Sequence, residues 1–201
     1  MLKSLNGIRL IRFEPEIHSQ QLYFWYYSGL YPEFFRNYPT CPSIQEIAGN
    51  ASGKALMVSR ETDGAILGCV MHFNEKEFSR NFEVGALIDQ QAQGYQIGIT
   101  ALKILLDWKF NNCNLYKAKV NCILDNKKLI SIVEKFGFSL EGTLKKESFF
   151  NGEFHDVAVY AMFKTKFNNS YKSDFETPET RLEARQQEEA SSNVRLRIAA
   201  S

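Results

Sequence analysis

Two short turns, Asp63-Gly64 and Asn151-Gly152, constrain the fold of this chain more than any other feature of its sequence. Each turn lies between segments in which apolar and polar residues alternate, the period of a half-buried strand. A residue pair of this kind supplies the positive φ angles that a tight hairpin turn requires. The sequence therefore predicts two antiparallel hairpins, one over residues 54–75 and one over residues 138–163.

The segments outside the hairpins predict an alternation of strands and helices. Alternating apolar residues predict strands within 7–14, 81–89 and 115–124. Apolar residues at helical intervals predict two short helices within 16–38, a long helix within 92–110 and a short helix over 126–137 that ends at Gly137. Of the aromatic residues in the first of these segments, each one alone is more simply explained as core than as the lining of a pocket.

Length and composition indicate a single folded domain and exclude several classes of partner. The 201 residues are 44% hydrophobic, which is enough for a real core, and 24 Lys and Arg residues balance 23 Asp and Glu residues to a formal net charge of +1. The balanced charge gives no strong electrostatic field that would favour binding to nucleic acid or to an anionic membrane. We expect a cytoplasmic protein, because the N-terminus has no apolar signal core and no run approaches a membrane span.

The cysteines and histidines do not indicate a metal site. The spacing of the four cysteines contains no Cys-x-x-Cys pair, and the three histidines are scattered. We therefore predict no metal and reduced structural thiols at these positions, which are Cys41, Cys69, Cys113 and Cys122.

The composition changes after about residue 166, so we predict a domain over 1–166 and a polar extension over 167–201. Thr177-Pro178 is a fair helix start, and Val194 to Ile198 alternate like a strand, but neither segment could fold alone. A solvated tail is the default for such a composition. The alternative is a segment, 177–201, that binds a partner protein or a second copy of the chain.

The loop between the predicted strand 81–89 and the following helix has two possible uses. A loop that enters a helix N-terminus presents unpaired backbone N–H groups, so it can bind a pyrophosphate, and Gly94 would let a ligand approach closely. A plain turn between a strand and a helix would look similar. Spacing alone leaves the two readings about even.

The order of the predicted elements, together with two local motifs, resembles the GCN5-related N-acetyltransferase (GNAT) family. Gln91, Gly94 and Tyr95 match the family's loop that holds the pyrophosphate of coenzyme A, while Gln96 stands where a small residue is usual. The stretch from residue 126 to 142 is similar to the ribosomal-protein and spermidine acetyltransferase branch. Residues at matching offsets are Asn126, Glu134, Lys135, Gly137, Phe138, Glu141, Gly142, Asn151, Gly152 and Asp156.

This resemblance, which covers residues 7–165, implies an α/β (α+β) fold. The GNAT fold has a central mixed, mostly antiparallel sheet of about seven strands, flanked by helices, in which strands 4 and 5 splay apart. It also implies acetyl-CoA as co-substrate, bound in part by backbone groups of strand 4. The residues that the resemblance places beside coenzyme A are Leu87, Ile88, Gln93, Gly94, Tyr95, Gln96 and Asn126.

The resemblance implies transfer of an acetyl group to an amine, which requires a base for the amine and an acid for the departing sulfur. Glu83 is the candidate base, although an outward carboxylate in a surface pair is about as good an explanation from sequence. His155 and Asp156 are alternatives on the last hairpin. Many relatives place a Tyr acid where this chain has Val133, which cannot donate a proton.

Two functions follow from the sequence. The first is an N-acyltransferase that moves an acetyl group from acetyl-CoA to a primary amine: a protein N-terminus, a side chain or a small amine. A polyamine acceptor would require an acidic lining that the sequence does not reveal. The second is a GNAT-fold protein that has lost its chemistry and serves as a docking component through its tail, as the unusual loop residues Ala92, Gln96 and Gly98 would suggest.

Overall fold

The computed structural model describes residues 2–28, 42–92, 95–150 and 152–175. Within them, the strands are β1 (Ile8–Arg12), β2 (Ala55–Arg60), β3 (Ile66–Lys76), β4 (Asn81–Ile88), β5 (Lys117–Ile123), β6 (Ser139–Phe150) and β7 (Glu153–Phe163). The helices are α1 (Pro15–Tyr27), α2 (Ile44–Ala51), α3 (Tyr95–Asp107), α4 (Lys127–Phe136) and α5 (Lys164–Tyr171).

These strands form one mixed sheet in the order β1-β2-β3-β4-β5-β7-β6. The described neighbours pair antiparallel except β4 and β5, which are parallel. The predicted strands and both hairpins are confirmed, and Gly64 and Gly152 have the positive φ angles, +73° and +82°, that the turns required. The seven-stranded mixed sheet confirms the predicted fold class.

The sheet separates two apolar cores, because successive side chains of a strand point to opposite faces. On β2, Met57 packs with α1 and α2, while its neighbour Val58 packs with α3, α4 and α5. Cys69 and Val70 divide between the same two cores on β3. A side chain's position in a strand therefore determines which set of helices it meets.

The signals read from the sequence for α3 and α4 are present in the structure. The apolar stripe predicted for α3 is confirmed, since Ala101, Leu105 and Leu106 are fully buried. A π-helical turn, Trp108–Asn112, extends this helix before β5. Gly137 ends α4 in the left-handed conformation with φ +105°, as a C-terminal glycine favours.

The segment before β2 is only partly as predicted. The first of the two short helices predicted within 16–38 is confirmed as α1, and the second lies outside the described residues, as do Phe34 and Phe35. The sequence analysis missed α2. Its signal was present: the Ser43 hydroxyl accepts from the Glu46 N–H at 3.2 Å, and the Glu46 carboxylate accepts from the Ser43 N–H at 2.7 Å, a complete capping box.

Helix α5 packs onto the same core as α3. Phe167 is fully buried, with its ring centroid 5.5 Å from that of Phe110. The Tyr171 hydroxyl donates to the Phe136 carbonyl at 2.7 Å. The packed chain thus continues past residue 166, where the composition changes. The predicted domain limits, 1–166 and 167–201, stay a prediction. The proposed partner segment 177–201 lies outside the described residues.

The structure also bears on membrane spans, metal sites and cysteines. No helix in the part of the chain that the structure describes is long and apolar enough to cross a membrane. The same residues contain no group of three or more His, Cys, Asp or Glu side chains that could hold a metal ion. Cys69, Cys113 and Cys122 are reduced cysteines, and burial raises the pKa of Cys69 to about 12. Cys41 lies outside the described residues.

Candidate functional site

The sheet opens between β4 and β5. The two strands pair at only three positions, from Asn81 opposite Lys117 to Glu83 opposite Lys119. Beyond Glu83, neither the remaining residues of β4 nor those of β5 form a further pair across this gap in the described structure. Because each backbone N–H and C=O on a free strand edge needs a partner, this gap can accept an extended ligand as an added strand. The predicted splaying of strands 4 and 5 is confirmed.

Glu83 lies at the fork where the two strands part. Its Oε1 atom is 3.4 Å from the Lys119 ammonium, and its Oε2 atom accepts from the Asn121 side-chain amide at 3.1 Å. Only 12% of the Glu83 side chain is exposed. The carboxylate is therefore held at the mouth of the gap by two residues of β5, rather than in a solvated surface pair.

Beyond Glu83, strand β4 carries the two residues predicted to lie beside coenzyme A on that strand. The Leu87 side chain is fully buried in the core under α1, so only its backbone can face a ligand in the gap. Ile88 packs on the α3 side, where a Cβ added to Gly98 would stand 3.3 Å from Ile88 Cγ1. The absence of a side chain at Gly98 thus allows α3 to approach the end of β4 closely.

The loop after β4 begins with a short 3₁₀ turn, Gln90–Ala92, and leads to α3. Of the residues predicted to bind the cofactor here, Tyr95 is the first residue of α3 and Gln96 is exposed in its first turn. Gln93 and Gly94 lie outside the described residues. Because β4 and β5 are parallel, the starts of α3 and α4 both follow strand ends at the same edge of the sheet.

Asn126 is the N-cap of α4, three residues after β5. Its side-chain oxygen accepts from the Leu129 N–H at 3.0 Å, which satisfies one of the unpaired donors in the first helical turn. The predicted cofactor residue therefore has a structural role that the sequence analysis did not assign to it. Both roles are compatible, since the cap fixes the position at which α4 begins beside the open end of β5.

Asp89 organises this end of the sheet, and the sequence analysis did not single it out. Its Oδ2 atom accepts from the Trp25 indole N–H of α1 at 2.7 Å, and its Oδ1 atom accepts from the Gln91 N–H at 2.8 Å. A cleft of about 570 Å³ lies between this part of the chain and α1, with Gln20 and Phe24 in its lining. The 64-residue separation of Trp25 and Asp89 left no local signal for the bond.

The position of the family's acid is filled by Val133, which is buried on α4. The neighbouring Glu134 instead accepts a hydrogen bond from the Tyr160 hydroxyl at 2.8 Å. Burial, together with this hydrogen bond and the charge of Glu134, raises the pKa of Tyr160 to about 12. Tyr160 therefore keeps its proton near neutral pH and joins β7 to α4.

The two alternatives on the last hairpin have neighbours of their own. The His155 Nδ1 atom lies 3.0 Å from an Asp125 oxygen. Asp156 accepts from the Lys145 ammonium at 2.8 Å and from the Lys146 N–H at 2.9 Å, at an irregularity of β6. The hydrogen bond from the Lys145 ammonium and that from the Lys146 N–H lower the pKa of Asp156. Asp156 thus stabilises the hairpin.

Comparisons with known proteins agree on one family. The family described as "Acetyltransferase (GNAT) domain" matches residues 18–139. The chain is 31% identical over 117 residues to spermidine N(1)-acetyltransferase of Escherichia coli K12, covering 58% of this chain and 63% of that protein. It is 31% identical over 109 residues to the ribosomal-protein-serine acetyltransferase of the same organism, covering 54% and 59%. The matches therefore span less than two thirds of either relative.

Solved structures support the same fold. The spermidine N-acetyltransferase of Vibrio cholerae in complex with CoA and spermine superposes with a TM-score of 0.67 at 21% identity, covering 80% of this chain and 98% of that one. A dodecameric structure of the Vibrio cholerae enzyme gives a TM-score of 0.66 at 20% identity, covering 82% and 98%. With the family match over more than half of its length, the chain belongs to the GNAT acetyltransferase family.

Proposed function

We propose that this protein transfers an acetyl group from acetyl-CoA to a primary amine. The observation that carries the proposal is the gap between β4 and β5, with a carboxylate at its fork. A gap of this kind offers unpaired backbone groups to the amides of an extended cofactor arm, and membership of the family supplies the cofactor's identity.

Three parts of the chain fit such a cofactor. The part of β4 that borders the gap, from Val84 to Ile88, would bind an amide-containing arm, as an added strand binds. The start of α3, where Gln96 is exposed, presents the helix end that favours phosphate groups. The start of α4, capped by Asn126, stands at the end of β5. Gln93 and Gly94 complete the proposed set from sequence alone.

Glu83 would accept the proton that the amine loses. Acetyl-CoA would supply a thioester whose carbonyl carbon is open to attack by a neutral amine, so that an amide bond forms, the C–S bond breaks and coenzyme A leaves as its thiolate. An amine is protonated at neutral pH, so a base at the gap is needed to release its lone pair. The Lys119 ammonium and the Asn121 amide hold the Glu83 carboxylate in one orientation, and each of its oxygens retains a further lone pair for the incoming proton.

The acceptor is proposed as a class, a primary amine of a protein N-terminus, a side chain or a small molecule. The two curated relatives are named for spermidine and for a ribosomal-protein serine, so their names do not select one member of this class. Among the described residues that line the cleft beside α1, Asp89 is the one carboxylate, and both oxygens of that group accept hydrogen bonds.

The remaining parts of the proposal concern location and assembly. The reduced cysteines among the described residues are consistent with the reducing cytoplasm. A dodecameric relative supports self-association as a property to test, and the segment 177–201 remains our candidate for a contact with a partner or a second copy.

Titration calorimetry with coenzyme A and acetyl-CoA tests the proposal. We expect micromolar binding by the wild type and loss of binding in Gly94→Trp, where the bulky side chain would block the sequence-predicted cofactor loop. Gly49→Trp is the matched control, because Gly49 is exposed on α2 and a Cβ added there meets no atom within 4 Å. No binding by the wild type at millimolar ligand would reject the enzyme and favour a docking protein.

A further inference from the structure

We infer that Asp89 is a positioning residue, which fixes the cofactor loop by anchoring it to Trp25 of α1. The inference rests on the proposed function. It adds that a hydrogen bond connects the cofactor side of the site to α1. The cofactor side comprises the turn Gln90–Ala92 and the start of α3, and the side formed by α1 borders the cleft described above.

The backbone and side chain of Asp89 are engaged in four hydrogen bonds. Its N–H donates to the Leu67 carbonyl at 2.8 Å, which extends the pairing of β3 and β4 by one residue. Its carbonyl accepts from the Ala92 N–H at 3.0 Å, and its Oδ1 atom accepts from the Gln91 N–H at 2.8 Å. The backbone direction of the turn after β4 is therefore set by this one residue.

The fourth bond gives the turn a fixed reference in the core. Trp25 is 1% exposed and packs with α2 and the inner residues of β2 and β3, so its indole ring is held by the core. Its N–H points to Asp89 Oδ2 at 2.7 Å, the length of a charge-assisted hydrogen bond. A buried indole N–H needs an acceptor, and Asp89 is the one that the structure assigns to it.

A connection of this kind joins the two faces of the sheet at the end of β4. Trp25 belongs to the core beneath α1 and α2, whereas the loop leads to α3, which packs on the opposite face. The Asp89 side chain therefore couples the position of α1 to that of the turn Gln90–Ala92. Release of the anchor should weaken cofactor binding without altering Glu83, which lies six residues earlier on β4.

Two variants separate the anchor from the turn. Trp25→Phe keeps a buried aromatic ring, and it removes the indole N–H donor together with three ring atoms. Asp89→Asn keeps one acceptor oxygen. In place of the other oxygen it has an amide group, which cannot accept a hydrogen bond from the Trp25 indole N–H or the Gln91 N–H. We expect Trp25→Phe to raise the dissociation constant for coenzyme A about tenfold and Asp89→Asn by at least as much.

Tyr171→Phe is a control for the loss of a hydrogen-bond donor far from the anchor. It removes the hydroxyl that bonds the Phe136 carbonyl from a partly buried aromatic side chain and keeps every ring atom. We expect it to lower the unfolding midpoint as Trp25→Phe does, with coenzyme A binding unchanged. In steady-state assays, Trp25→Phe should raise KM for acetyl-CoA while kcat stays close to the wild-type value.

Amide exchange in the free protein, followed by NMR, reports the anchor without any ligand. We expect the Gln91 and Ala92 N–H groups to exchange about tenfold faster in Trp25→Phe, and not in Tyr171→Phe. Unchanged exchange and unchanged coenzyme A affinity in Trp25→Phe would overturn the inference and leave Asp89 a structural residue. If the wild type binds no coenzyme A, the proposed function fails and the cofactor role of Asp89 fails with it, whatever the exchange rates show.

Discussion

His72 gives a prediction about stability whose magnitude follows from its surroundings. Burial, with the nearby Lys109 ammonium, lowers the pKa of this β3 histidine from 6.5 to about 4, and Glu75 only partly opposes the shift. Lys109 is itself buried, with its Nζ atom 2.7 Å from a Glu75 oxygen. The imidazole edge lies against the Trp108 ring. Protonation of His72 in the folded protein is therefore unfavourable.

The sign of the effect follows from proton uptake. Between pH 6.5 and 4 the unfolded chain binds a proton at His72 that the folded chain does not, so stability falls as the pH falls. At about 1.4 kcal/mol for each pKa unit, the full shift corresponds to about 3.5 kcal/mol. Because solvent reaches part of the His72 and Glu75 pair, we expect a loss of about 2 kcal/mol.

Urea unfolding of the wild type and His72→Gln at pH 7, 6, 5 and 4.5 measures this loss. The glutamine variant cannot titrate, and the difference between the two proteins cancels the contributions of carboxylates elsewhere. We expect the wild type to lose its advantage over the variant steadily as the pH falls below 6.5. A difference that is independent of pH, or one that grows toward acid, would refute the burial of a neutral His72.

Three other substitutions test the packing around the site. Phe167→Ala should cost about 3–5 kcal/mol in urea unfolding, because the side chain is fully buried and packs against the Phe110 ring, and a loss below 1 kcal/mol would show that α5 is not part of the folded unit. Gly68→Ala should cost about 1–3 kcal/mol and weaken coenzyme A binding, since a Cβ there overlaps the Leu87 carbonyl oxygen at the open end of β4; wild-type affinity would argue against this contact. Asn126→Ala should cost about 1 kcal/mol in the same unfolding assay, most of which Asn126→Ser should restore, and an equal loss in both would show that the cap does not account for it.

The strands were predictable from sequence because their signal is local. Alternation and the two Asx-Gly turns locate both hairpins, and the end of α4 follows from Gly137. Helix α2 was missed although Ser43 and Glu46 carry a capping box, since a helix of eight residues gives only about two turns in which apolar periodicity can be recognised. Helix α5 has the same difficulty, because a single buried aromatic residue, Phe167, fixes it to the core.

The candidate site was only partly predictable. The resemblance selected Glu83, but its partners Lys119 and Asn121 depend on the parallel register of β4 and β5, which no local pattern specifies. The bond between Trp25 and Asp89 depends likewise on two elements that are far apart in the chain. Side-chain roles of this kind arise from tertiary structure, so sequence reasoning could name the region but not the contacts.

The most direct test of acetyl transfer is the detection of an acetylated amine. The wild type and Glu83→Gln would be incubated with acetyl-CoA and, in separate reactions, a peptide with a free N-terminal serine and spermidine, followed by mass spectrometry. We expect at least one amine to gain an acetyl group with the wild type, and a rate about 100-fold lower with Glu83→Gln, as loss of a general base predicts. No acetylated amine above the rate without protein, despite bound coenzyme A, would contradict the proposed function.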